Sequence, residues 1–196
     1  MKRIMTFLLF SLLIVQTAFA AVSFTTFNGG SNLIDLGYGI TINNKSSLLR
    51  EWKTAHDSSL PIDFVGTIGA TVTYQSSSKY TSGGYRYKAE YVLKCNEDVT
   101  AVEVIILVFN VWGQLQSKLS ATEIMDMTKN QTYDFSPTWS ISSEHKATEA
   151  LSSLAYINQV RTKSGRIYTA DMTAIVAEAQ KYAKELTPEV IKDFSN

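Results

Sequence analysis

The stretch Val104-Ile105-Ile106-Leu107-Val108-Phe109 is apolar at every position. It is too short to cross a bilayer as a helix, which takes about 20 apolar residues. Turn residues bracket it, with Asn96-Glu97-Asp98 before and Asn110 and Gly113 after. A β-branched run of this length between turn signals reads as a strand covered on both faces. It predicts a central strand over Val99–Trp112. Such a strand demands a layer of structure on each side, and the rest of the chain supplies the candidates.

Upstream, Gly66, Ile68, Ala70, Val72 and Tyr74 alternate with Thr67, Gly69, Thr71 and Thr73. After a polar loop over residues 76–84, Tyr85, Tyr87, Ala89, Tyr91 and Leu93 alternate with Arg86, Lys88, Glu90 and Lys94. Period two marks half-buried strands, here an antiparallel hairpin with one wet face. Downstream, Leu115 to Thr128 reads as an edge strand or a short helical turn. Tyr133 to Ser143 reads as a strand carrying Phe135, Trp139 and Ile141 inward. Ala155–Arg161 and Arg166–Thr169 form a hairpin about Thr162-Lys163-Ser164-Gly165, with glycine available for a positive φ.

The flanks differ in character. Gly37 to Ile42 reads as a short strand. Leu48, Leu49 and Trp52 fall on one face at helical spacing, which predicts a short helix over residues 46–55 with a serine cap. At the other end Met172, Ile175, Val176, Ala179, Tyr182, Ala183 and Leu186 recur at helical spacing. They predict an amphipathic helix begun near Thr169–Asp171, with Thr187 and Pro188 starting a shorter one. This helix is expected to pack on its own domain, with docking on a partner as the other reading. Its apolar face is alanine-rich and its polar face not strongly basic, which disfavours a membrane-surface role.

The first residues have their own pattern. Lys2 and Arg3 precede an apolar run from Phe7 to Val15, broken only by Ser11, and Ala18-Phe19-Ala20 offers small residues at a cut site. This is the layout of a cleavable secretory signal, so the product is expected in the periplasm or secreted. No cysteine follows the cut to carry a lipid. In the whole chain 18 Lys and Arg balance 18 Asp and Glu. Losing Lys2 and Arg3 leaves a slight negative charge and no basic patch, which argues against nucleic acid as a partner.

The order of these elements resembles small exported bacterial domains of immunoglobulin-like sandwich type. The likeness runs over about residues 60–170. It rests on Leu60-Pro61 before a Gly/Thr-rich strand and on Phe109-Asn110-Val111-Trp112-Gly113, an aromatic-x-x-x-Gly turn. It rests also on Val160-Arg161 leading through Gly165 to Tyr168, a V-R-x-x-x-G-x-x-Y/W pattern. The resemblance implies a fold and carries over no functional residue. The expectation is a mainly β, antiparallel immunoglobulin-like sandwich with a short N-terminal-region helix and a C-terminal amphipathic helix. Residues 1–20 form the signal peptide, 21–170 the sandwich and 171–196 the helical segment packed on it.

Chemistry is sparse. His56 and His145 lie in polar, loop-like stretches without metal-binding spacing, and one cysteine cannot complete a zinc set. No metal and no cofactor is expected. Cys95 reads as a buried small hydrophobe, although a dyad with His145, oriented by Asp126 or Asp134, is arithmetically open. Neighbouring Glu97 and Asp98 oppose thiolate formation. Asn96-Glu97-Asp98 offers carboxylates for calcium or for hydrolysis by type alone, with Asp126 a further candidate acid. The tyrosines give the sharpest alternative. Their rings either wall the sandwich interior or expose a platform on Tyr80, Tyr85 and Tyr87 for a sugar or a peptide. The function expected is an exported, non-enzymatic binding or structural module contacting protein or glycan. The alternative is an exported hydrolase using Cys95 or a loop carboxylate.

Overall fold

The computed structural model describes residues 22–29, 33–35, 41–43, 50–79 and 82–194. The expected signal peptide, over residues 1–20, lies outside them. Twelve strands and three helices are found among the described residues: β1 (Val22–Gly29), β2 (Leu33–Asp35), β3 (Thr41–Asn43), β4 (Arg50–Asp57), β5 (Ile62–Gln75), β6 (Gly84–Cys95), β7 (Val99–Asn110), β8 (Leu115–Met127), β9 (Thr132–Phe135), β10 (Thr138–Ile141), α1 (Glu144–Glu149), β11 (Ala150–Thr162), β12 (Ile167–Thr169), α2 (Met172–Ala179) and α3 (Pro188–Asp193). The molecule is mainly β, with two principal sheets and no closed barrel among the described residues.

The larger sheet runs β1-β4-β11-β7-β8, with β12 beside the far end of β11. Its one parallel pair is β4 with β11, over Glu51–Thr54 and Ser152–Ala155. In the smaller sheet β6 pairs with β5 along one edge and with β10 and then β9 along the other. The two short strands β2 and β3 pair with each other.

The apolar run sits where its sequence demands, in β7 between β11 and β8. Val104, Ile106 and Val108 meet the smaller sheet in one core, with Tyr87, Tyr91, Leu93 and Ala155. Ile105, Leu107 and Phe109 point the other way and meet Ile175, Val176, Ala179, Leu186 and Ile191 of the C-terminal segment. The two layers that a doubly apolar strand requires are therefore a second sheet and a pair of helices.

The β5–β6 hairpin keeps the predicted alternation but carries an irregularity. Val65 faces Val92 and Gly69 faces Glu90, so three residues of β5 oppose one of β6. Gly66 takes φ 75° there, a conformation that glycine reaches without strain. Leu115–Met127, which the sequence left between strand and helical turn, is a strand at the sheet edge. The single strand read over Tyr133–Ser143 is two, because Pro137 interrupts it and has no N–H for a ladder.

Two helix expectations are corrected. Residues 50–55 of the helix expected over 46–55 lie in β4, and 46–49 are outside the described residues. The helical spacing of Trp52 is overridden by partners on both edges, β1 antiparallel and β11 parallel. The C-terminal helix begins where its cap predicts, Asp171 accepting from Thr173 N–H, but ends at Ala179 rather than Leu186. Tighter turns follow, Lys181 N–H donating to Glu178 O at 3.1 Å and Tyr182 N–H to Ala179 O at 3.0 Å. They lay the Tyr182 ring on Phe109, with centroids 4.9 Å apart. Thr187 then caps α3 with Pro188 in its first turn, as the sequence predicts. No helix among the described residues is long and apolar enough to cross a membrane.

Candidate functional site

Of the sequence-level candidates, Tyr85, Tyr87 and Cys95 are enclosed. Tyr87 is 3% exposed and Tyr85 7%. Tyr87 lies between Trp52 and Trp139, and its hydroxyl pairs with Ser153 Oγ at 2.7 Å. Tyr85 meets Tyr74 edge to face. An exposed platform therefore has no surface at Tyr85 or Tyr87, because these rings wall the core between the sheets. Tyr80 lies outside the described residues. Cys95 is 0% exposed, and burial, aided by Asp98, pushes its thiol up to about 11. At neutral pH it is a thiol with no route to a substrate.

His145 reaches Glu149 Oε2 at 3.3 Å within α1 and makes no hydrogen bond to Cys95. Glu97 accepts from Tyr168 Oη of β12, and Asp98 accepts from Lys129 N–H in the turn after β8, so each carboxylate fastens its turn to a neighbouring segment. Asp126 and Asp134 are exposed. Among the described residues no three His, Cys, Asp or Glu side chains are grouped to share an ion.

His56 is not the loop histidine that its neighbours suggest. It sits on β4 with Nδ1 2.9 Å from Asp63 Oδ1 and Nε2 3.2 Å from Thr54 Oγ1. Acid, imidazole and hydroxyl are thus in line, the order a hydrolytic triad uses. Thr54 is 0% exposed, however, so no acyl group can reach its hydroxyl. The array joins the larger sheet to the smaller one where the chain passes from β4 to β5.

The turn from β7 to β8 presents the opposite situation. Trp112 is 72% exposed, beside a partly exposed Val111. The turn is nevertheless heavily fixed. Asn110 Oδ1 accepts from the N–H groups of Trp112 and Gln114, both at 3.0 Å. Gly113 takes φ 75°, and a Cβ there would lie 2.9 Å from Tyr182 O. The indole N–H donates to Glu149 Oε1 at 2.7 Å, and Val111 N–H donates to Glu149 O. The result is a large aromatic face in water, held by polar bonds at its rim. Reading Trp112 as the last residue of a strand missed this. The available signal was two large apolar residues placed between the turn residues Asn110 and Gly113.

A cleft of about 490 Å³ lies between the helix-facing side of the larger sheet and α3. Glu103 of β7, Ser120 of β8 and Asn158 of β11 form its polar floor, and Ile105, Met172 and Ile191 its apolar wall. Glu103 Oε2 accepts from Asn158 Nδ2 at 2.7 Å and from Gln159 Nε2 at 2.9 Å, and Oε1 from Ser120 Oγ at 3.1 Å. Lys118 Nζ closes one end, donating to the carbonyls of Ile191 and Lys192 at the end of α3. No protein-family model, no curated protein and no solved structure matches this chain.

Proposed function

We propose that this chain is an exported, non-enzymatic binding module on an immunoglobulin-like sandwich, and that it holds a glycan against Trp112. The observation that carries the reading is an indole 72% exposed yet fixed by a 2.7 Å bond to Glu149. Leaving a large aromatic side chain in water forgoes roughly 2–3 kcal/mol of burial. A fixed ring also loses little further freedom when a ligand arrives.

A pyranose ring suits this surface. Its C–H face lies flat on an indole, and its hydroxyls need the polar rim that Glu149, His145, Asn110 and Gln114 provide. Export is supported by the basic start, the apolar run and the Ala18-Phe19-Ala20 site. It places the module in the periplasm or outside the cell, where glycans are at hand. The hydrolase reading loses support, because Cys95 is enclosed and Glu97 and Asp98 already accept hydrogen bonds from Tyr168 and Lys129.

The test is a glycan array followed by titration calorimetry on the best ligand. Wild type is expected to bind, Trp112→Ala to weaken binding by at least about tenfold, a loss of about 1.4 kcal/mol, and Trp112→Phe to fall between. Binding that survives Trp112→Ala would sink the reading. So would an empty array together with a protein partner captured through Trp112.

A further inference from the structure

We propose that the cleft under α3 is a second binding site, which takes a small organic cation with an apolar body and seats its ammonium or amidinium group on Glu103. It is independent of the Trp112 turn and of any glycan.

The argument starts from β7. Glu103 is the one charged residue in a strand that is otherwise largely apolar, and it stands on the helix-facing side with Ile105. A carboxylate half withdrawn from water is costly unless a positive charge meets it. Here its protein partners are neutral: one hydroxyl and two side-chain amides. The ion pairs among the described residues join other groups, and none includes Glu103. Lys118 lines the same cleft but directs its ammonium to the carbonyls of Ile191 and Lys192.

The surrounding groups favour a donor ligand. Asn158 and Gln159 turn their NH₂ ends to Glu103, which leaves their carbonyl oxygens as acceptors. Glu189 and Lys192 of α3 also line the cleft. The wall of Ile105, Met172 and Ile191 would cover an aliphatic or aromatic body. A volume of about 490 Å³ is that of a small-molecule site rather than a packing defect.

The decisive comparison uses the unaltered protein and two isosteres, 2-phenylethylamine and 2-phenylethanol, followed by amide chemical-shift changes. The amine should bind saturably, shift residues of β7, β11 and α3, and bind at least about tenfold tighter than the alcohol. Glu103→Gln, checked for folding by its thermal transition, should bring the amine down to the affinity of the alcohol. Equal affinity for amine and alcohol would overturn the proposal, and so would no saturable shift at the cleft with either. Amine binding left intact by a folded Glu103→Gln would overturn it too. None of these outcomes bears on Trp112.

Discussion

Alternate residues of β7 look into two interiors that differ in kind. Toward the smaller sheet, Val104, Ile106 and Val108 enter a core closed by aromatic pairs, Phe64 with Tyr91 and Tyr87 with Trp52 and Trp139 among them. Toward the helices, Ile105, Leu107 and Phe109 enter a smaller core that is sealed at the Phe109 end by Tyr182 and open at the Glu103 end. One strand thus separates a side that holds the fold from a side with room for a ligand.

The largest expected effect tests that division directly. Ile106→Ala deletes a fully buried side chain from the closed core and should cost about 3–5 kcal/mol. Ile105→Ala, one residue away, removes a side chain that already borders a cleft, so less new cavity is made. Its cost should stand near 2 kcal/mol. Urea unfolding of both variants measures the gap. Equal losses would mean that the helix side is packed as tightly as the sheet side.

A second test concerns how the helix side is fastened. Lys53 Nζ lies 2.6 Å from Glu178 Oε1 and 3.3 Å from Glu51 Oε1, and Glu178 Oε2 also meets Lys181. Tyr182 donates to Glu51 at 2.7 Å, so one charged group ties β4 to α2 and the turns after it. Burial alone would push the Glu178 carboxyl up, but hydrogen bonds from Lys181 and Lys53 outweigh it and hold it below its usual range. Burial likewise opposes the Lys53 ammonium, and Glu178, Tyr182 and Glu51 together raise it.

The signs follow from linkage. A depressed carboxyl contributes stability above its unfolded value and loses it as pH falls through the folded one. A raised lysine contributes below its unfolded value and loses it as pH rises through the folded one. Lys53→Met should therefore cost about 2 kcal/mol across neutral pH, less than a fully unpaired ion because Lys181 still meets Glu178. The difference from wild type should narrow in acid. A difference that does not change with pH would show that Lys53 acts through packing.

The same division explains what could be read from the chain. β5, β6 and β7 were legible because a strand facing one or two interiors writes that fact into a few successive residues. Asp171 and Thr187 were legible as caps for the same local reason. β4 was not, because Trp52 is set in a strand by Phe27 on one edge and Ser153, a hundred residues later, on the other. The early end of α2 depends on Phe109 reaching Tyr182, again a distant pair. The cleft was not legible. Glu103 is a single charge beside an apolar run, and Ser120 and Asn158 reach it from strands that only folding brings alongside.

The smallest expected effect lies outside both interiors. Trp112 adds to neither core, and its contacts are polar bonds at the rim of the turn. Trp112→Ala should shift stability by no more than about 0.5 kcal/mol, the usual range for a surface site, with the urea midpoint as readout. Glu149, largely covered beside the indole, loses one hydrogen bond but keeps His145, and removing the ring opens its carboxylate to water. A residue of this size that costs nothing to remove is not explained by the fold. A loss of several kcal/mol would make Trp112 a structural plug and take away the reason to look for a ligand on it.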